Sequence, residues 1–197
     1  MAAGAPPPPN PLPRYAGEGE PETPLSRIAG EGLGVGANAA TDASETEGNS
    51  MLDVTALRQI MMDAVPFNRV LGVRVETVEP ERVTVILPES PERLNHVGTV
   101  HAAAQFGLAE ATAGAMCVAA FSDLQQRGFA PVVTDAHVTY RKPARGEMRG
   151  EATLSAEEQA RVRGEIAAGE RPRFTIAVRL TDQHGTLTTE LRFEWVL

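Results

Sequence analysis

Residues 102–121 constrain the fold more than any other stretch of this chain. Eleven of these twenty positions are Ala or Gly, and Glu110 is the one charged residue among them. A helix that is apolar on every side has no solvent face, so other elements must wrap it. Its small side chains let a sheet approach closely on most sides. A carboxylate in such a helix is costly to bury unpaired, which makes Glu110 the first candidate for chemistry. The run is also long enough to raise the question of a membrane span. Gln105, Glu110 and Thr112 inside it, and its very small side chains, favour a wrapped core helix and no span.

The flanking patterns say what does the wrapping. Asp53 can cap a short helix carrying Val54, Leu57, Ile60, Met61 and Val65 at helical spacing, with Pro66 ending it. Residues 71–78 and 82–87 alternate like strands around the turn Glu79-Pro80-Glu81. The long helix is expected from about Val100 to Gln126, with Gly128 as its stop. Residues 132–142 alternate again, with Thr134, Ala136, Val138 and Tyr140 on one face and Asp135, His137, Thr139 and Arg141 on the other. Residues 148–155 form a further strand, 156–172 a charged connection, and 173–181 with 186–196 a closing hairpin. Six strands and one apolar helix must share a core. The expected class is α+β: an antiparallel six-stranded curved sheet wrapped around one long central helix.

The first fifty residues do not fit that core. They hold 8 of the 15 prolines, and seven acids against two bases. Such a composition cannot bury enough apolar surface to offset chain entropy, so 1–50 reads as a disordered acidic tail and 51–197 as the folded domain. The tail supplies −5 of the formal net charge of −8 (two bases minus seven acids). With no basic stripe, nucleic acid is not an expected partner. The start lacks the pattern of a signal peptide and is too acidic for a mitochondrial transit peptide. The single Cys117 excludes an internal disulfide and fits the cytoplasm.

Just upstream of the helix stands Asn95-His96-Val97-Gly98-Thr99-Val100-His101. The spacing Asn95-x-x-Gly98-x-x-His101, with Leu108-Ala109-Glu110 following, resembles the signature of the PaaI-like hotdog thioesterases. Residues 138–146, Val-Thr-Tyr-Arg-Lys-Pro-Ala-Arg-Gly, resemble the next strand and turn of that family, and Leu71-Gly72-Val73 also fits. The resemblance covers about residues 65–197. It implies a hotdog fold and hydrolysis of acyl-CoA thioesters, with coenzyme A as part of the substrate and neither metal nor other cofactor.

The resemblance also implies roles. Asn95 would orient a water or the attacking group. The backbone N–H groups at the helix start, near His101 and Ala102, would polarise the thioester carbonyl, as unpaired donors at a helix N-terminus can. Glu110 would act as general base or nucleophile. Gly98, Thr99, Gln105 and Thr134 would lie along the substrate. Geometry adds a constraint. Glu110 is nine residues beyond His101, hence about 180° around the helix and roughly 13 Å along it. One helix cannot aim both at one carbonyl, so a homodimer or tetramer with composite sites is expected.

The sequence departs from the family pattern in two places. Ala102, Ala103 and Ala104 stand where glycines usually follow the histidine, and their methyls narrow the approach. Thr134 comes one place later than the usual Ser or Thr, where alternation would turn it away. A non-catalytic acyl-CoA or lipid-binding hotdog protein and a hotdog hydroxyacyl dehydratase therefore remain as alternatives. Arg141, Lys142 and Arg145 could meet coenzyme A phosphates or be ordinary surface charges. Asp135 and His137 share a strand face, but a metal site needs a third ligand and none is in evidence.

Overall fold

A computed structural model of the chain describes residues 53–126 and 128–197. The expected acidic tail, 1–50, lies outside the described residues. Helix α1 (Val54–Ala64) begins where Asp53 accepts a hydrogen bond from the Ala56 N–H at 2.7 Å. Pro66 ends α1 but does not open a strand. It starts a second short helix, α2 (Pro66–Leu71), as proline can in a first turn, and Gly72 closes it with a left-handed φ of 72°. Strand β1 (Arg74–Glu79) therefore starts three residues later than the alternation suggests. Strand β2 (Arg82–Leu87) and a 3-10 turn (Pro91–Arg93) lead to helix α3 (Ala102–Gln126). Then come β3 (Val132–Tyr140), β4 (Met148–Thr153), helix α4 (Ala156–Ala167), β5 (Arg173–Thr181) and β6 (Leu187–Val196).

The six strands form one sheet in the order β1-β2-β4-β5-β6-β3. Every pairing is antiparallel. The sheet curls around α3, as expected. Along β5, Phe174, Ile176, Val178 and Leu180 point inward while their neighbours face water. The hydrophobic window of α3 satisfies the length and composition of a membrane span, yet 67% of it is buried inside the fold. It is the core helix.

Two local features depart from the sequence reading. The charged segment 156–172 holds α4, capped by Ser155, which accepts from the Glu158 N–H. Only Val162 and Ile166 of this helix are buried. Strand β3 carries a bulge between Val133 and Asp135. The extra residue shifts the alternation, so Val133, Ala136 and Val138 pack on the core while Thr134 is exposed.

The core helix is fastened at its far end by α4. Phe121 breaks the helical backbone with φ −134° and ψ 25°. Arg163 of α4 donates to the Ala120 carbonyl at 2.6 Å, pairs with Asp123, and lies over the Phe121 ring. In the middle, the helix meets β4 at Gly150. A Cβ built there would stand 2.5 Å from Thr112 Oγ1, inside contact distance. Gly150→Ala should therefore destabilise the fold by about 1–3 kcal/mol through overpacking. Urea unfolding measures this, and adding Thr112→Ala should recover part of the loss.

Candidate active site

The segment before α3 is a braced platform. The Asn95 carbonyl oxygen Oδ1 accepts from the N–H groups of Val97 and Thr99, both at 3.1 Å. The Asn95 amide Nδ2 donates to Thr99 Oγ1 at 2.8 Å. Gly98 sits at the turn with φ 73°, a conformation that favours glycine. The Val100 N–H donates to the Ala144 carbonyl, and the His101 N–H to the Arg93 carbonyl. The start of α3 is thus tied to two separate loops.

His101 is the residue that opens the helix. Its carbonyl accepts the first intrahelical bond, from the Gln105 N–H. Its ring Nδ1 accepts from the Ala103 N–H at 3.0 Å. Ala102 and Ala104 keep N–H groups with no partner among the described residues. Ala102 is an exposed residue at the positive end of the helix dipole. Such a donor can hold a carbonyl oxygen on which negative charge develops.

Glu110 lies eight residues beyond Ala102, about 12 Å along the axis and about 80° around it. Its carboxylate is half-buried and has neither an ion pair nor a hydrogen bond among the described residues. Loss of water raises its pKa above the ordinary glutamate value. Cys117 lies on the same helix, fully buried. Burial first, and the Glu110 charge second, push its thiol pKa well up, which removes it as a nucleophile.

Of the residues picked from sequence, one chain brings Asn95, Gly98, Thr99, His101 and Ala102 together and leaves Glu110 apart from them. Gln105 is buried. It donates to the Val100 carbonyl and accepts from Thr189, so both amide atoms brace the helix start from inside. Thr134 is on the bulge of β3, six residues from Tyr140 and so about 20 Å along the strand. It donates to the Glu194 carbonyl and accepts from Arg173, away from the helix start.

Two features at the helix start escaped the sequence reading. Tyr140, at the end of β3, donates its hydroxyl to the Ala102 carbonyl at 3.2 Å. Strand alternation grouped it with Thr134, Ala136 and Val138 but carried no sign of this bond. Helix α2 brings Phe67 and Val70 beside Ala103 and Ala104 across a cavity of about 480 Å³. The apolar triplet at 71–73 masked that helix. Arg141 is spent on an ion pair with Glu190, whereas Lys142 and Arg145 are exposed without an ion pair among the described residues. The same residues contain no cluster of three or more His, Cys, Asp or Glu able to hold a metal.

Comparison with solved structures places this arrangement among known folds. A Pseudomonas aeruginosa protein of unknown function, called a probable thioesterase, is 28% identical with a TM-score of 0.66, over 76% of this chain and 97% of that one. Zebrafish thioesterase superfamily member 2 is 23% identical with a TM-score of 0.57, over 74% and 99%. The Escherichia coli PaaI protein from the phenylacetic acid degradation operon is 12% identical with a TM-score of 0.53, over 70% and 88%. No curated protein matches the sequence. Residues 54–197 match the family described as "Domain of unknown function (DUF4442)". The chain thus carries a PaaI-like hotdog fold and belongs to the DUF4442 family.

Proposed function

We propose that the protein is an acyl-CoA thioesterase acting in the cytoplasm. The observation that carries this reading is Glu110: a half-buried carboxylate with no partner among the described residues, on the core helix. A carboxylate kept without a counter-charge there costs stability, and base or nucleophilic catalysis is what it gains. The thioesterase names of the structural neighbours support the same class. Water is the second substrate, and the chemistry calls for neither metal nor redox cofactor.

In this reading the thioester carbonyl rests on the open N–H groups at the start of α3. Glu110 from a second copy activates the water or attacks the carbonyl carbon. Two copies are needed because 12 Å of helix separates the two groups within one chain (about eight residues at 1.5 Å each). Strand β3 is at the sheet edge and exposes Val132 and Tyr140, which suits pairing with a second copy.

Lys142 and Arg145 flank the helix start through the Ala144–Val100 hydrogen bond, and would meet the coenzyme A phosphates. Reversing both charges (Lys142→Glu with Arg145→Glu) should raise KM for acyl-CoA by about tenfold or more with little change in kcat. The same substitutions should leave KM unchanged for a short pantetheine thioester without phosphates.

The test of the function is release of free thiol from short, long and aromatic acyl-CoAs. Turnover supports hydrolysis. Tight acyl-CoA binding without turnover would favour a binding protein instead. One observation leans that way: the Ala103 N–H is already taken by the His101 ring, and alanine methyls crowd the approach.

A further inference from the structure

The geometry points to the cavity between α2 and the start of α3 as the site of the acyl group, with Phe67 and Val70 setting the preference for apolar chains. One wall is Phe67, Val70 and Leu71; the facing wall is Ala103 and Ala104. Phe67 is 59% exposed and Val70 78%, on a helix of six residues, so large apolar side chains stand in water beside a candidate site. Exposed apolar clusters of this kind mark surfaces that are covered in use. At about 480 Å³ the cavity falls within the range of small-molecule sites.

The polar rim is made by Ser90, Glu92, Arg93 and His101. Ser90 donates to Glu92, and that bond, more than anything else, holds the Glu92 carboxyl below its ordinary pKa. Arg93 donates to the Pro88 carbonyl. Glu92 is thus held by a local partner, and Arg93 and His101 stand at the rim beside the apolar walls. Gly107 sets the depth. A Cβ there would come within 2.8 Å of Leu71 Cδ2, so glycine lets α2 lie against the core helix.

The direction of the substrate follows from what flanks the helix start. Lys142 and Arg145 approach it through Val100, and Tyr140 through Ala102. The apolar cavity opens on the other flank, at Ala103 and Ala104. A thioester seated on these donors sends its anionic end toward the cations and its acyl chain toward Phe67 and Val70. This deepens the thioesterase reading and depends on it only for the position of the carbonyl.

Two measurements on the full chain test the assignment. The first is kcat/KM for acetyl-, butyryl-, hexanoyl- and decanoyl-CoA. The second is calorimetric binding of S-alkyl coenzyme A thioethers of matching length, which need no hydrolysis. In the wild type, affinity should rise by up to about fourfold for each methylene that leaves water, until the cavity is filled. Val70→Asp puts a charge on the wall, and Phe67→Ala removes its largest surface. Each should cut the gain per methylene by half or more.

A gain that persists unchanged in both variants overturns the assignment even if the enzyme hydrolyses acyl-CoA. No turnover, together with thioether binding that depends on chain length and falls in the variants, would refute hydrolysis and keep the acyl site. Loss of an oligomer by Val70→Asp in sedimentation, with chain-length dependence intact, would make this face a subunit contact and refute the assignment.

Discussion

Replacing Glu110 by Gln should abolish thioester hydrolysis, with kcat lower by about 10²–10⁴-fold, while acyl-CoA still binds. Gln keeps the size and polarity of the side chain but can neither take a proton nor attack. In the wild type the active form is the carboxylate. Loss of water raises its pKa above the ordinary glutamate value, so activity should fall as pH drops through that raised value. The acid limb of the pH–rate profile therefore lies above the ordinary glutamate value.

Stability should move the other way. A carboxylate whose pKa is raised in the folded state favours folding only while protonated, and that contribution disappears as pH rises through the folded value. Thermal melts of Glu110→Gln and wild type should therefore converge below the unfolded glutamate pKa and separate above it, the variant melting higher at neutral pH. An opposite pH trend, or full activity in the variant, would remove Glu110 from the chemistry.

The second large effect concerns a group that has no side chain. Ala102→Pro deletes the N–H at the first helical position, where proline is well tolerated and the residue before it is already outside the helix. The fold should keep its stability. Hydrolysis should lose about 10²–10³-fold in kcat if that N–H holds the developing oxyanion. Mixing makes the pair of variants more informative. A dimer of one Glu110→Gln chain and one Ala102→Pro chain carries one doubly damaged site and one intact site. Unfolding and refolding the two inactive variants together should recover as much as a quarter of wild-type activity, because about half of the dimers are mixed and each has one of its two sites whole. Recovery of no activity, from chains shown to exchange, would place Glu110 and the helix start in the same subunit's site.

Much of this was legible in the residues, and the misses have physical causes. The core helix announced itself because no solvent face interrupts residues 102–121, and β5 and β6 because their alternation is regular. Helix α4 hid because two buried residues, Val162 and Ile166, give too weak a period against its charges and Gly164. Helix α2 hid because six residues are too few to show a period, while Leu71 and Val73 mimic a strand. The bulge at Thr134 is a property of the β3–β6 register, which local alternation does not record. At the site, the Asn95 loop, the helix start and Glu110 came from spacing along one segment. Tyr140, Phe67 and Val70 come from distant segments, and only tertiary packing brings them to Ala102, Ala103 and Ala104.

A site shared reciprocally by two copies also fixes where their symmetry axis runs. If the start of one core helix faces Glu110 of the other, and the reverse holds, the two helices lie antiparallel. The twofold axis then passes between them, level with the midpoint between residues 102 and 110. That midpoint is Phe106, half-buried and set edge-on against Phe193 at 5.5 Å. Each copy of Phe106 would approach its own image. Any substitution there acts twice at one point, on both sites together, and a change in its bulk would move the two reaction centres by the same amount.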